Sequence, residues 1–308
     1  MSSSISARPL TGMFVANAPV SYGAFEVTVG IDPNVPGGLA ILDEVSAAGY
    51  AGIDLGPVGY LGTGAELGRR LGERGLGLAG AYLEFPFADD AALDAMLDTF
   101  AAIAPFVPGP PPRPTIADNG SDARRGRPGS GTRQPDSGHN VAAWKLFGKG
   151  LHRVVERCRD RGYEPTFHHE TGTYVESPAE IEIVLSLSDV GLCLDTGHFL
   201  LGGGDPVTAL RKWPTRINQV HIKDASLAVF EQIVEDGQPT TAIWSREAFP
   251  ALGKGDVDVD GLLVALADIG YQGWLVVEQD ILPTTTERFS QAAMDQRANR
   301  AYLAERGL

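Results

Sequence analysis

The chain of 308 residues is poor in several things that would each direct its reading. It has two cysteines, Cys158 and Cys193, so no disulfide framework is expected. Cys193 falls inside an apolar strand and Cys158 inside a predicted helix, and both read as buried, reduced thiols. Basic residues are outnumbered, with 25 Lys and Arg against 39 Asp and Glu, for a net charge of −14. That balance excludes nucleic acid and anionic membrane as expected partners, since both require a basic face. No apolar run approaches the ~18 residues of a membrane span. Met1 to Leu10 is small and polar and lacks the apolar stretch of a signal peptide, so a cytoplasmic location is expected. No Walker loop, no Gly-x-Gly-x-x-Gly after a strand and no Gly-x-Ser-x-Gly elbow occurs, which leaves nucleotide cofactors and serine hydrolysis without support.

What is present is a set of short apolar runs that stop abruptly in residues able to bind metals or move protons. Phe167-His168-His169-Glu170, Cys193-Leu194-Asp195-Thr196-Gly197-His198, Val220-His221-Ile222-Lys223-Asp224 and Trp274-Leu275-Val276-Val277-Glu278 share this form. Each run fits a buried strand and is too short for a helix. Strands alternate with helical patterns along the chain. Strands are predicted at 13–17, 52–55, 76–82, 115–118, 166–169, 191–194, 217–222 and 274–277, and helices at 38–48, 65–74, 91–104, 141–161, 178 onward, 206–212, 259–269 and 286–306. Eight strands in alternation with about eight helices predict an α/β fold, a (β/α)8 TIM barrel. Its length suits one domain over residues 1–308. Two stretches stand outside the alternation: an Arg-, Pro- and Gly-rich loop at about 107–136 and an excursion at about 225–255.

Gly49-Tyr50, Gly162-Tyr163 and Gly270-Tyr271 each join a helix end to a strand start. The same step past each tyrosine reaches Pro57, Glu170 and Glu278, so the two glutamates are expected at matching strand ends. In a barrel, groups at the carboxyl ends of the strands face one another across the mouth. Glu170, Asp195, His221 and Glu278 then make an oxygen-rich, one-nitrogen set suited to a divalent ion. Mn²⁺ comes first, with Mg²⁺, Co²⁺ or Zn²⁺ as alternatives. His168 shares the strand face of Glu170 and competes with it as a ligand, or orients it; His169 is expected to face the helices. His198, Lys223 and Glu84 are candidate substrate contacts, as is Arg124 in the arginine-rich loop, which could clamp a charged group or close as a lid. Against these stand plainer readings: a strand cap for His198, a surface Lys223–Asp224 pair, a solvated loop around Arg124. Gly202-Gly203-Gly204 before a helix start is either a phosphate cradle or a turn. His139 and His152 read as structural or solvated.

The segments Leu194-Asp195-Thr196-Gly197-His198, Val220-His221-Ile222-Lys223-Asp224, Leu252-Gly253-Lys254-Gly255-Asp256-Val257 and Gly270 to Glu278 resemble the xylose isomerase-like barrel superfamily of sugar isomerases, epimerases and inosose dehydratases. Asn17 to Gly23, Leu55 to Tyr60, Thr171 to Glu176 and Leu201 to Pro206 resemble the inosose dehydratases in particular. The resemblance implies a divalent metal on Glu170, Asp195, His221 and Glu278, substrate hydroxyls at His198, and a sugar or cyclitol ketone as substrate. It also implies barrels that commonly pair as homodimers. Glu170 departs from the histidine-rich dehydratase pattern and looks like the epimerases, whose two metal-binding glutamates exchange protons. The expected chemistry is removal of a proton beside the ketone by Glu170 or Glu278, followed by epimerisation, isomerisation, dehydration or β-elimination of a 3-keto glycoside. The reading from a different class is a catalytically silent sugar-binding barrel subunit.

Overall fold

The computed structural model describes residues 10–85 and 90–308. The expectation drawn from the start of the chain lies, up to Pro9, outside the described residues. Among the described residues, nine strands form one sheet: β1 (Met13–Asn17), β2 (Gly52–Ile53), β3 (Gly77–Leu78), β4 (Gly80–Phe85), β5 (Arg113–Asp118), β6 (Thr166–His168), β7 (Gly191–Asp195), β8 (Ile217–Ile222) and β9 (Gly273–Val277). Every strand pair is parallel, in the order β3-β2-β1-β9-β8-β7-β6-β5-β4.

The two ends of that order are one strand interrupted at Ala79. Ala79 N–H donates to Ile53 O at 2.9 Å on one side, and Ala79 O accepts from Arg113 N–H at 3.0 Å on the other. The ring is therefore closed, and the predicted third strand becomes β3 and β4. Gly80 sits at the kink because a Cβ there would meet Arg113 O at 2.8 Å. Parallel strands need long crossovers, and the helices between them supply these and cover the outer face. Phe100, Leu151, Val154, Ile181, Leu210, Leu262 and Leu266 pack against Ile116, Phe167, Leu192, Leu194, Val220 and Leu275 in one core.

The helix starts follow local chemistry. Ser177 and Glu180 form a reciprocal capping box with Pro178 in the first turn of Pro178–Leu187. Asp205 caps Pro206–Lys212. Gly49, Gly162 and Gly270 all adopt left-handed φ, of +83°, +83° and +68°. The repeated Gly-Tyr pair thus marks three helix ends that require glycine before the next strand.

The arginine-rich stretch is more ordered than its composition predicts. It contains β5 and two short helices, Asp122–Arg125 and Ser130–Arg133. One buried carboxylate organises it. Glu176 accepts from the backbone N–H of Gly129 (2.6 Å), Gly131 (2.9 Å) and Gly172 (2.9 Å). The excursion likewise holds two helices, Leu227–Glu235 and Thr241–Ser245. Its end is fixed by Asp224, whose carboxylate accepts from Gly253, Gly255 and Val257 N–H. Among the described residues, no helix is long and apolar enough to cross a membrane.

Candidate metal centre

The mouth of the barrel holds a cavity whose wall includes His168, His198, His221, Lys223, Glu278 and Asp280, with Glu26, Asp54, Tyr82, Glu84 and Glu170 around the rest. The strand register sets this up. Asp195 is opposite His221 across β7 and β8, and His168 is opposite Cys193 across β6 and β7.

His168, Asp195, His221 and Glu278 are buried, and a potential ligand atom from each lies within 4.8 Å of the others. His168 Nε2 is 3.5 Å from Asp195 Oδ2. His221 Nδ1 is 3.2 Å from Glu278 Oε2 and 3.9 Å from Asp195 Oδ2. Among the described residues, Asp195 Oδ2, His221 Nδ1, His168 Nδ1 and Asp280 Oδ1 are buried with no hydrogen-bond partner. Some stand at ion-pair distance, but without the alignment of a hydrogen bond. Buried polar atoms left unmatched are costly, and Asp195 Oδ2 and His221 Nδ1, 3.9 Å apart, fit a cation between them. Two imidazoles and two carboxylates are a donor set for Mn²⁺, Co²⁺ or Zn²⁺.

Lys223 sits beside this cradle, 2% exposed, with Nζ 3.0 Å from carboxylate oxygens of Asp195, Glu278 and Asp280. Burial alone lowers an ammonium's affinity for its proton, but the three carboxylates outweigh it and hold Lys223 well above the usual lysine range. Burial raises the carboxyls of Asp195 and Glu278. The nearby cations, Lys223 and His198 for Asp195 and His221 and Lys223 for Glu278, outweigh it and hold both below the carboxylate range. His168 is pushed down by burial, which favours the neutral form that a metal ligand would need. In the metal-free chain burial lowers His221, yet Cys193 and Glu278 carry it well above its ordinary value.

Asp195 serves two ends at once. Its Oδ1 caps the helix Thr196–Leu201 by accepting from His198 N–H at 2.9 Å, while Oδ2 faces the cradle. That helix begins directly at the strand end, beyond the predicted strand 191–194, and the Asp-Thr-Gly start is its sequence signal. It delivers His198 to the cavity, with Nδ1 3.0 Å from Thr171 Oγ1 and Nε2 3.7 Å from Asp280 Oδ2. Asp280 itself carried no sequence signal beyond its position after Glu278.

Glu170 lies outside the cradle. Its Oε2 accepts from the Tyr82 hydroxyl at 2.7 Å. The chain leaves the strand direction after His168, since Glu170 N–H donates to Val175 O and Thr173 N–H to Glu170 O. The expected match with Glu278 therefore shifts by two residues, and His168 takes the place beside Asp195. His169 is fully buried, with Nε2 accepting from Asp195 N–H at 3.3 Å and its ring against Phe199.

Arg124 stands away from the cavity. It is buried, donating to Glu180 at 2.9 and 3.0 Å, to Thr173 O at 2.8 Å and to Glu176 at 3.5 Å. The charged group it clamps belongs to its own chain. Glu84 lines the cavity, half exposed, 3.7 Å from Arg125. Gly202 to Gly204 are a packing surface: a Cβ on Gly202 would meet Glu176 O at 2.2 Å, and one on Gly204 the Phe199 ring at 2.2 Å.

A closed parallel barrel with its polar groups at the strand ends defines a class, and the comparisons place the chain within it. The family profile described as "Xylose isomerase-like TIM barrel" matches residues 120–297. The chain belongs to this xylose isomerase-like TIM barrel family. Among curated relatives, it is 30% identical over 261 residues to an inosose dehydratase of Geobacillus kaustophilus, covering 82% of this chain and 83% of that protein. It is 33% identical over 265 residues to the rhizopine catabolism protein MocC of Rhizobium meliloti, covering 82% and 78%. A solved structure titled as an IOLI protein with a binding zinc atom superposes with a TM-score of 0.61 at 17% identity, covering 94% of this chain and 99% of that one.

Proposed function

We propose that the chain is a divalent-metal-dependent lyase that dehydrates a keto-cyclitol of the inosose type. The observation that carries this reading is the clustering of His168, Asp195, His221 and Glu278, a potential ligand atom from each within 4.8 Å of the others, with Asp195 Oδ2 and His221 Nδ1 buried and unmatched. The curated relatives named inosose dehydratase supply the reaction class. A divalent ion in this cradle, Mn²⁺ first, would act as a Lewis acid on the ketone oxygen and a neighbouring hydroxyl of the substrate.

The chain's own residues do the rest. Glu278 is committed to the cradle, so Glu170 takes the proton from the carbon beside the ketone, with Tyr82 holding the carboxylate in position. His198 is lowered by burial and by Lys223, but Asp195 and Asp280 raise it above its ordinary value, which favours the protonated form. It gives that proton to the departing β-hydroxyl, which leaves as water. Glu170 then releases its proton to solvent and His198 regains one, so the cycle closes with one water lost. Lys223 offsets the charge of the surrounding carboxylates. The reading carries a cytoplasmic location with it, to which two free buried cysteines conform.

The test is a panel of inososes, ketohexoses and 3-keto glucosides in deuterated buffer, with and without a chelator. The expected result is water loss from an inosose, deuterium exchange beside its ketone, and loss of both on chelation. Exchange with no member of the panel overturns the reading.

A further inference from the structure

Cys193 takes no part in the chemistry above, and its surroundings are unusual for an inert thiol. It precedes Asp195 by two residues on β7 and so faces the same interior side. It is opposite His168 in the register, and His221 stands near the thiol as well. His168, Cys193 and His221 are all buried, and a potential ligand atom from each lies within 4.8 Å of the others. His168 Nδ1 and His221 Nδ1 have no hydrogen-bond partner among the described residues.

We propose that His168, Cys193 and His221 form a second, sulfur-containing cradle that takes a soft divalent ion such as Zn²⁺ or Cd²⁺. Thiolate with two imidazoles selects softer ions, whereas the set built on Asp195 and Glu278 suits harder ones. On binding, the thiol gives its proton to solvent and sulfur donates an electron pair to the ion. Both sets use His168 and His221, so the two positions compete for one ion. A soft ion held low in the barrel withdraws both imidazoles from the carboxylates above. For its effect on turnover this rests on the proposed lyase reading; the binding itself does not.

The experiment titrates Cd²⁺ into the metal-stripped full chain and follows sulfur-to-metal charge-transfer absorption. The band is expected to saturate at one ion per chain, to persist in Cys158→Ser and to vanish in Cys193→Ser. Since the chain has only these two cysteines, Cys158→Ser alone assigns the band even if Cys193→Ser fails to fold. Cd²⁺ is expected to inhibit the Mn²⁺-loaded wild type at lower concentration than it inhibits Cys193→Ser. No band in the wild type, or a band lost in Cys158→Ser, overturns the proposal, as does binding of two ions per chain. The band is read without substrate, so absence of lyase turnover leaves this test intact.

Discussion

Asp54 shows how one residue at the cavity wall ties chemistry to stability. It lies just past β2, is buried, and has one oxygen without a hydrogen-bond partner among the described residues. Burial pushes its carboxyl up to about 6, against an ordinary 3.8, with His221 pulling it down and Glu278 up. A raised folded-state value favours the protonated form. The stabilisation is therefore complete below the unfolded value and is lost as pH rises through about 6. Two units correspond to roughly 3 kcal/mol. In metal-stripped protein, stability is expected to fall between pH 4 and 6 by about that much more in wild type than in Asp54→Asn, as measured by urea denaturation. Parallel pH profiles would contradict it. At the same scale, most of the candidate metal centre was legible from residue types, because Asp195, His221 and Glu278 each end an apolar run. The choice between His168 and Glu170 was not. It depends on where the chain turns out of β6, which is set by the Glu170–Val175 backbone bond.

At the scale of elements, the strands and long helices follow their sequence signals to within a few residues, since each carries its own period and caps. The arginine-rich stretch did not yield to that reading. Its order comes from partners distant in sequence: Glu176 gathers the Gly129 and Gly131 amides, and Arg124 reaches Glu180. Composition reports none of this. Removing one member of a buried ion pair leaves the other charge uncompensated and costs about 3–5 kcal/mol. Arg124→Leu is expected to lose that much in a denaturant titration, because Glu176 and Glu180 would remain buried. A loss under ~1 kcal/mol, typical of a surface pair, would show that the insertion is held by its glycine contacts alone.

For the whole molecule, closure of the sheet is what brings four side chains together over more than a hundred residues of sequence. β6, β7 and β8 are adjacent, and β9 beside β8 places Glu278 next to His221. Alternation of strands and helices announced the barrel; the depth of each residue at its mouth came only with the register. The most direct check is a calorimetric titration of metal-stripped protein with Mn²⁺, comparing wild type, His168→Ala and Glu170→Gln. One site per chain is expected, lost in His168→Ala and retained in Glu170→Gln, with turnover of Glu170→Gln reduced by roughly 10²–10⁴. Loss of the site in Glu170→Gln with retention in His168→Ala would contradict it.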